Sequence, residues 1–121
     1  MKWRVLIADD DDDVRLLLRV MLSREPEFEV VGEAATPDDA LVLARELQPD
    51  AAVIDHEFRG HMTGLDLAPS LREAAPDMKV VMFSAHDWLR SQVRDSTATD
   101  AFVLKTDVHL LSGLLQTLLT T

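Results

Sequence analysis

The 121-residue sequence predicts a doubly wound α/β domain, a parallel sheet with helices on both faces. Three observations carry this. Short apolar runs alternate five times with segments of helical period, and the connections between them are only a few residues long. An apolar content of 47% is enough to fill one core at this length.

The first run, Arg4-Val5-Leu6-Ile7-Ala8, is compact, β-branched and unbroken, as a strand buried on both faces should be. Val14, Leu17, Leu18, Met21 and Leu22 then fall at helical spacing and mark a packed face, which Glu25-Pro26 ends. Phe28 to Val31 is the second strand, stopped at Gly32. Thr36-Pro37-Asp38-Asp39 supplies a cap, a proline at the first helical position and two acids in the first turn. The helix it opens buries Ala40, Leu43, Ala44 and Leu47 and ends at Pro49. Ala51 to Ile54 is the third strand. Leu67, Leu71 and Ala75 mark the third helix, and Pro69 sets its start late, near Ala68. Lys79 to Phe83 is the fourth strand, and Leu89 with Val93 marks a short fourth helix. Ala101 to Leu104 is the fifth strand, before a Leu-rich helix from Val108 to Leu119.

Twelve basic and 22 acidic side chains give a net charge of −10. A surface this acidic repels phosphate backbones, so direct nucleic-acid binding is not expected. Arg15 and Arg19 interrupt the longest apolar candidate for a membrane span, and Val5-Leu6-Ile7-Ala8 is too short for a signal-peptide core. Without cysteine, disulfides and thiolate chemistry are excluded. The expectation is a single cytoplasmic domain over residues 1–121, with no linker, repeat or membrane partner.

In doubly wound sheets, ligands bind at the carboxyl ends of the strands. Strand one runs into Asp9 to Asp13, strand three ends at Asp55, strand four at Ser84 and strand five at Lys105. Close carboxylates repel one another unless a cation sits among them, and hard oxygen ligands suit Mg²⁺. An Asp beside such a metal can attack phosphorus and form an acyl phosphate, with a lysine or hydroxyl stabilising the charge in transit. Each group also has a plain reading. Asp11, Asp12 and Asp13 suit a solvated helix start; Asp55 could be a turn residue, Ser84 a helix cap and Lys105 a surface charge. Their convergence on one edge favours chemistry.

As a set, Asp9-Asp10, Asp55, Ser84-Ala85 and Lys105 resemble the receiver domain of two-component response regulators, from Lys2 to about Leu119. The resemblance implies a flavodoxin-like three-layer (βα)5 sandwich with strand order 2-1-3-4-5. It implies Asp55 as phosphoacceptor, Asp10 as a direct ligand of Mg²⁺ (or Mn²⁺), Asp9 acting through water, and Glu57 offering a backbone carbonyl. Ser84 would follow the phosphoryl group, Lys105 would pair with it, and Phe102 would be the switch aromatic. Glu57 and His86 would tune the hydrolytic water, with slow-to-moderate dephosphorylation expected; His86 reads equally as a plain cap-region residue. The implied partners are a sensor histidine kinase or phosphotransfer protein. Surplus leucines and Gly113 in the last helix read either as a wide core stripe with frayed ends or as a homodimer or partner surface through helix four, strand five and helix five, which Trp88 favours. The chain would be a signalling switch, not an enzyme acting on other substrates.

Two departures stand out. Arg59 replaces the proline that the family places four residues after the Asp, and Gly64 comes nine residues on instead of eight. A one-residue insertion beside Asp55 is the simplest account, the missing proline ring implies a more mobile loop, and Arg59 or His61 is a candidate to reach a phosphoryl oxygen. Thr106 follows Lys105 where many receivers have proline; receivers joined to helix-turn-helix modules often lack that proline, and Glu29 to Ala34 also resembles their sequences. The altered loop leaves room for a pseudo-receiver, an interaction domain independent of phosphorylation. A phosphatase of the haloacid dehalogenase type would need an Asp where Glu57 stands.

Overall fold

The computed structural model describes residues 2–121. Five parallel strands, β1 (Trp3–Ala8), β2 (Phe28–Ala34), β3 (Ala51–Ile54), β4 (Lys79–Ser84) and β5 (Ala101–Leu104), form one sheet in the order β2-β1-β3-β4-β5. Five helices connect or follow them: α1 (Asp12–Ser23), α2 (Pro37–Leu47), α3 (Gly64–Ala74), α4 (Arg90–Asp95) and α5 (Leu111–Thr120). Among the described residues, no helix is long and apolar enough to cross a membrane.

Strand side chains point alternately to the two faces, and the core divides accordingly. Leu6, Ala52, Ile54, Val80 and Met82 meet Ala40 and Ala44 of α2, Leu67 and Leu71 of α3, and Val93 of α4. Val5, Ile7, Val53, Val81 and Phe83 meet Leu18 and Leu22 of α1 with Leu111 and Leu115 of α5. Each fully buried aliphatic side chain stabilises by roughly 1.5–3 kcal/mol, and both layers are built from such residues. This is the expected three-layer sandwich.

Capping begins three of the helices. The Asp11 carboxylate accepts from the N–H groups of Asp13 and Val14. Thr36 accepts from Asp39 ahead of Pro37, as expected, and Thr63 accepts from Asp66.

Four local expectations need correction. β2 does not stop at Gly32 but runs to Ala34. Val5 pairs with Val30 and Leu6 with Gly32, so Val31 is an extra residue and the strand bulges instead of ending. A Cβ on Gly32 would come within 3.1 Å of Leu47 Cδ1, so the glycine serves the packing of α2 on the sheet. The third helix starts at Gly64, and Pro69 lies inside it. The Pro69 ring is exposed, and the Thr63 cap with burial of Leu67, Ala68 and Leu71 outweighs the one hydrogen bond it removes. Leu17 faces solvent beside Leu16 and Val20, because a helix on a flat sheet buries a narrower stripe than the periodicity allows. The last helix, expected from Val108, is a 3₁₀ turn from Lys105 to Leu110 before α5 begins.

Candidate functional site

The sheet edge formed by the carboxyl ends of the strands brings the predicted groups together. Asp9 follows β1 and is held on three sides: its N–H donates to the Ala34 carbonyl at 3.0 Å, its Oδ1 accepts from Asp11 N–H at 2.9 Å, and its carbonyl accepts from Arg15 at 2.6 Å. Asp55 follows β3, tied to the Ala8 carbonyl at 2.9 Å and accepting from the His56 N–H at 2.8 Å. Lys105, the first residue beyond β5, reaches across the sheet to both: Nζ lies 2.9 Å from Asp9 Oδ2 and 3.3 Å from Asp55 Oδ1. The pair with Asp9 is close in charge but poorly aligned as a hydrogen bond, so this buried carboxylate oxygen keeps no aligned donor. Asp10 stands at the rim. Asp9, Asp10 and Asp55 each offer an oxygen within 4.8 Å of the others.

These residues with Asp11, Glu57 and Arg59 line a cleft of about 250 Å³, a polar concavity with room for a phosphate-sized group. Burial pushes the Asp55 carboxyl up, the Asp9 charge adds to this, and Lys105 only partly opposes them, leaving it at about 6. Burial also works against the Lys105 ammonium, but its contacts with Asp9 and Asp55 prevail and hold it above the ordinary lysine value. For Asp10, burial acts upward while two hydrogen bonds and the charge of Arg59 outweigh it, so that carboxyl lies below the usual range. The donor set is wholly carboxylate oxygen with one orphaned lone pair, which fits a hard divalent cation.

The remaining expected residues lie around this cleft. Ser84 is buried at the end of β4, its Oγ accepting from the His86 N–H at 3.1 Å, and it does not line the cleft. Glu57 does, and its side chain crosses to His86 Nε2 at 2.7 Å, bridging the loops after β3 and β4. Phe102 is half-buried on β5, away from the carboxylates, with the Arg90 guanidinium 4.9 Å above its ring. Arg59 lines the rim of the cleft with its side chain on Asp10, and His61 is exposed. Asp11, Asp12 and Asp13 are the exposed helix start that was expected.

Three neighbours were not assigned to this site from the sequence, where Trp88 reads only as an interface residue. His56 is buried with Nδ1 unpartnered, edge-on to Trp88 at 6.1 Å, and burial pushes its pKa down. The same indole stacks obliquely on His86 at 5.8 Å, so Trp88 joins both loops while staying 59% exposed. Phe58 is buried against the core beneath the loop. Its signal was present, a large aromatic in an otherwise polar stretch. The tie between Arg59 and Asp10 had none, because 49 residues separate the partners.

A parallel sheet that gathers three carboxylates and a lysine at its strand ends defines a doubly wound domain with an acidic, cation-suited cleft. The response regulator receiver domain family matches residues 5–109, and the chain belongs to that family. It is 33% identical over 107 residues to response regulator protein VraR of Staphylococcus epidermidis, covering 88% of this chain and 51% of that protein. It is also 40% identical over 79 residues to response regulator GacA of Pseudomonas aeruginosa, covering 65% and 36%. The chain thus spans about half or less of these relatives. Among solved structures, the signal receiver domain of the putative response regulator NarL from Mycobacterium tuberculosis superposes with a TM-score of 0.81 at 30% identity, covering 95% of this chain and 94% of that one. Receiver domains of this family bind Mg²⁺ at an acidic pocket, and response regulators interact with histidine kinases and phosphotransfer proteins.

Proposed function

We propose that residues 1–121 act as one receiver domain that accepts a phosphoryl group on Asp55 from a sensor histidine kinase or phosphotransfer protein. The observation that carries this is the approach of Asp9, Asp10 and Asp55 within 4.8 Å, with Lys105 spanning two of them. Asp9, Asp10, Asp55 and the Glu57 carbonyl would hold Mg²⁺ (or Mn²⁺), which supplies positive charge for the transferring phosphoryl oxygens. The Asp55 carboxylate attacks phosphorus, forming the acyl phosphate as the bond to the donor's nitrogen or oxygen breaks; the leaving group keeps that electron pair, a histidine nitrogen taking a proton and a carboxylate departing as the anion. Lys105, already 3.3 Å from Asp55, would turn to pair with the new phosphoryl charge. The Ser84 hydroxyl would exchange its His86 contact for a phosphoryl oxygen. Inward movement of that segment would free Phe102 from its place under Arg90 and repack the α4-β5-α5 surface. That surface, with Leu110 and Trp88 exposed at its borders, would control an output segment, a partner or a second copy of the chain. A DNA-directed output would lie on a separate, more basic segment.

Incubation with Mg²⁺ and acetyl phosphate should add about 80 Da, one phosphoryl group, and Asp55→Ala should abolish the gain. Failure of every donor to add this mass would leave a phosphorylation-independent interaction domain. Glu57 lines the cleft, and His86 holds its side chain at 2.7 Å. His86→Ala should therefore admit water more freely and speed loss of the added mass a few-fold, with the rate of its gain little changed.

A further inference from the structure

Phe58 to His61 form a tight turn: the His61 N–H donates to the Phe58 carbonyl at 2.9 Å, and Gly60 has φ of 76° at the third position. Arg59 holds the second position, one that suits proline. Arginine keeps an N–H that proline lacks. Both that N–H and the side-chain Nε donate to one oxygen, Asp10 Oδ2, at 3.1 and 3.0 Å. The Arg59 side chain is 85% exposed and that of Asp10 only 19%. Lys105 meanwhile engages Asp9 and Asp55 from inside the cleft. Three carboxylates thus share two cations, one deep and confined, the other at the rim on a long, solvated stem.

We infer, on the reading of Asp9, Asp10 and Asp55 as cation ligands, that Arg59 is a built-in competitor for the divalent cation at Asp10. A cation drawn to this carboxylate meets a guanidinium already hydrogen-bonded to it. Like charges this close repel even through water, so the arginine must swing out as the cation takes the oxygen. Exposure of the side chain permits that movement, and the Arg59 N–H stays in place to orient the carboxylate. Arg59 accordingly raises the cation concentration at which the site loads.

Titration of the unphosphorylated chain with Mn²⁺, following free Mn²⁺ by electron paramagnetic resonance, reads this affinity without any transfer reaction. Arg59→Gln should bind Mn²⁺ about three- to tenfold more tightly than the parent, the range for removing an exposed positive charge beside a dication. Added NaCl should narrow the difference, because exposed charges are screened. Asp10→Asn should weaken binding and erase the effect of Arg59→Gln, closing a double-mutant cycle. Equal or weaker binding by a folded Arg59→Gln protein would overturn the inference and leave Asp55 phosphorylation intact. The same holds for a gain that survives Asp10→Asn. Absence of Mn²⁺ binding to both parent and Arg59→Gln would remove the cation reading itself.

Discussion

Gly64→Ala is expected to destabilise the protein by about 3 kcal/mol, the upper part of the range for forcing a methyl group into a packed site. A Cβ at this position would overlap the Asp55 carbonyl oxygen and lie 2.9 Å from His56 Cα and 3.0 Å from Met82 Sδ. The first two are backbone atoms of the peptide unit joining the proposed phosphoacceptor to His56, so no rotamer change relieves the contact. The Gly64 N–H also donates to the His56 carbonyl at 2.7 Å, which fixes the start of α3 against the end of β3. Strain there must either unseat α3 or displace Asp55. Thermal unfolding followed by circular dichroism should show a midpoint about 10 °C lower, and the mass gain with acetyl phosphate should fall together with it. Gly113→Ala is the control: nothing lies within 4 Å of a Cβ at that exposed helical position. There the substitution should stabilise by up to about 1 kcal/mol, the helix propensity difference. A Gly64→Ala protein as stable as the parent would mean that the contact beneath Asp55 is not close-packed.

What could be read in the sequence and what could not divides along the range of the interactions. β1, β3 and β5 are short apolar runs ending in a charged residue, and the parallel alternation alone sends Asp9, Asp55 and Lys105 to one edge. The Thr36-Pro37 start of α2 was legible because a cap is a contact within four residues. Gly32 and Pro69 misled for the converse reason. Locally each breaks regular structure, yet packing of Leu47 over Gly32 and of Leu67, Ala68 and Leu71 under α3 overrides that tendency. Arg59 was singled out as a departure, but its partner was misplaced. It holds the second position of a turn that faces Asp10, and only the folded course of both loops shows this. His56 and Trp88 carried no periodic signal because they pack between loops.

The placement of Asp55 has a further consequence, for stability. In metal-free solution at pH 7.5, Asp55→Asn should stabilise the fold by about 1–2 kcal/mol, after allowing for solvent screening in an open cleft. Burial and the Asp9 charge hold the native carboxyl at about 6, against 3.8 for an unperturbed aspartate. The native state therefore binds this proton more tightly than the unfolded chain does. Below about pH 4 the group is protonated in both states and costs nothing. Between about 4 and 6 the unfolded chain loses its proton first, so stability falls as pH rises; above 6 the full penalty is present. The sign is opposite to that of an ordinary surface aspartate held by a salt bridge. Other carboxyls titrate over the same interval, so the informative quantity is the difference between the two proteins in urea unfolding at pH 7.5 and pH 4.5, with chelator present. That difference should be largest at the higher pH and fall to about a third of that value at the lower. Saturating Mg²⁺ should shrink it at pH 7.5, because a cation bound only to the native parent stabilises that protein by mass action. An Asp55→Asn protein less stable than the parent at pH 7.5 without metal would mean that Lys105 compensates Asp55 fully. The site would then hold no stored repulsion for a cation to relieve.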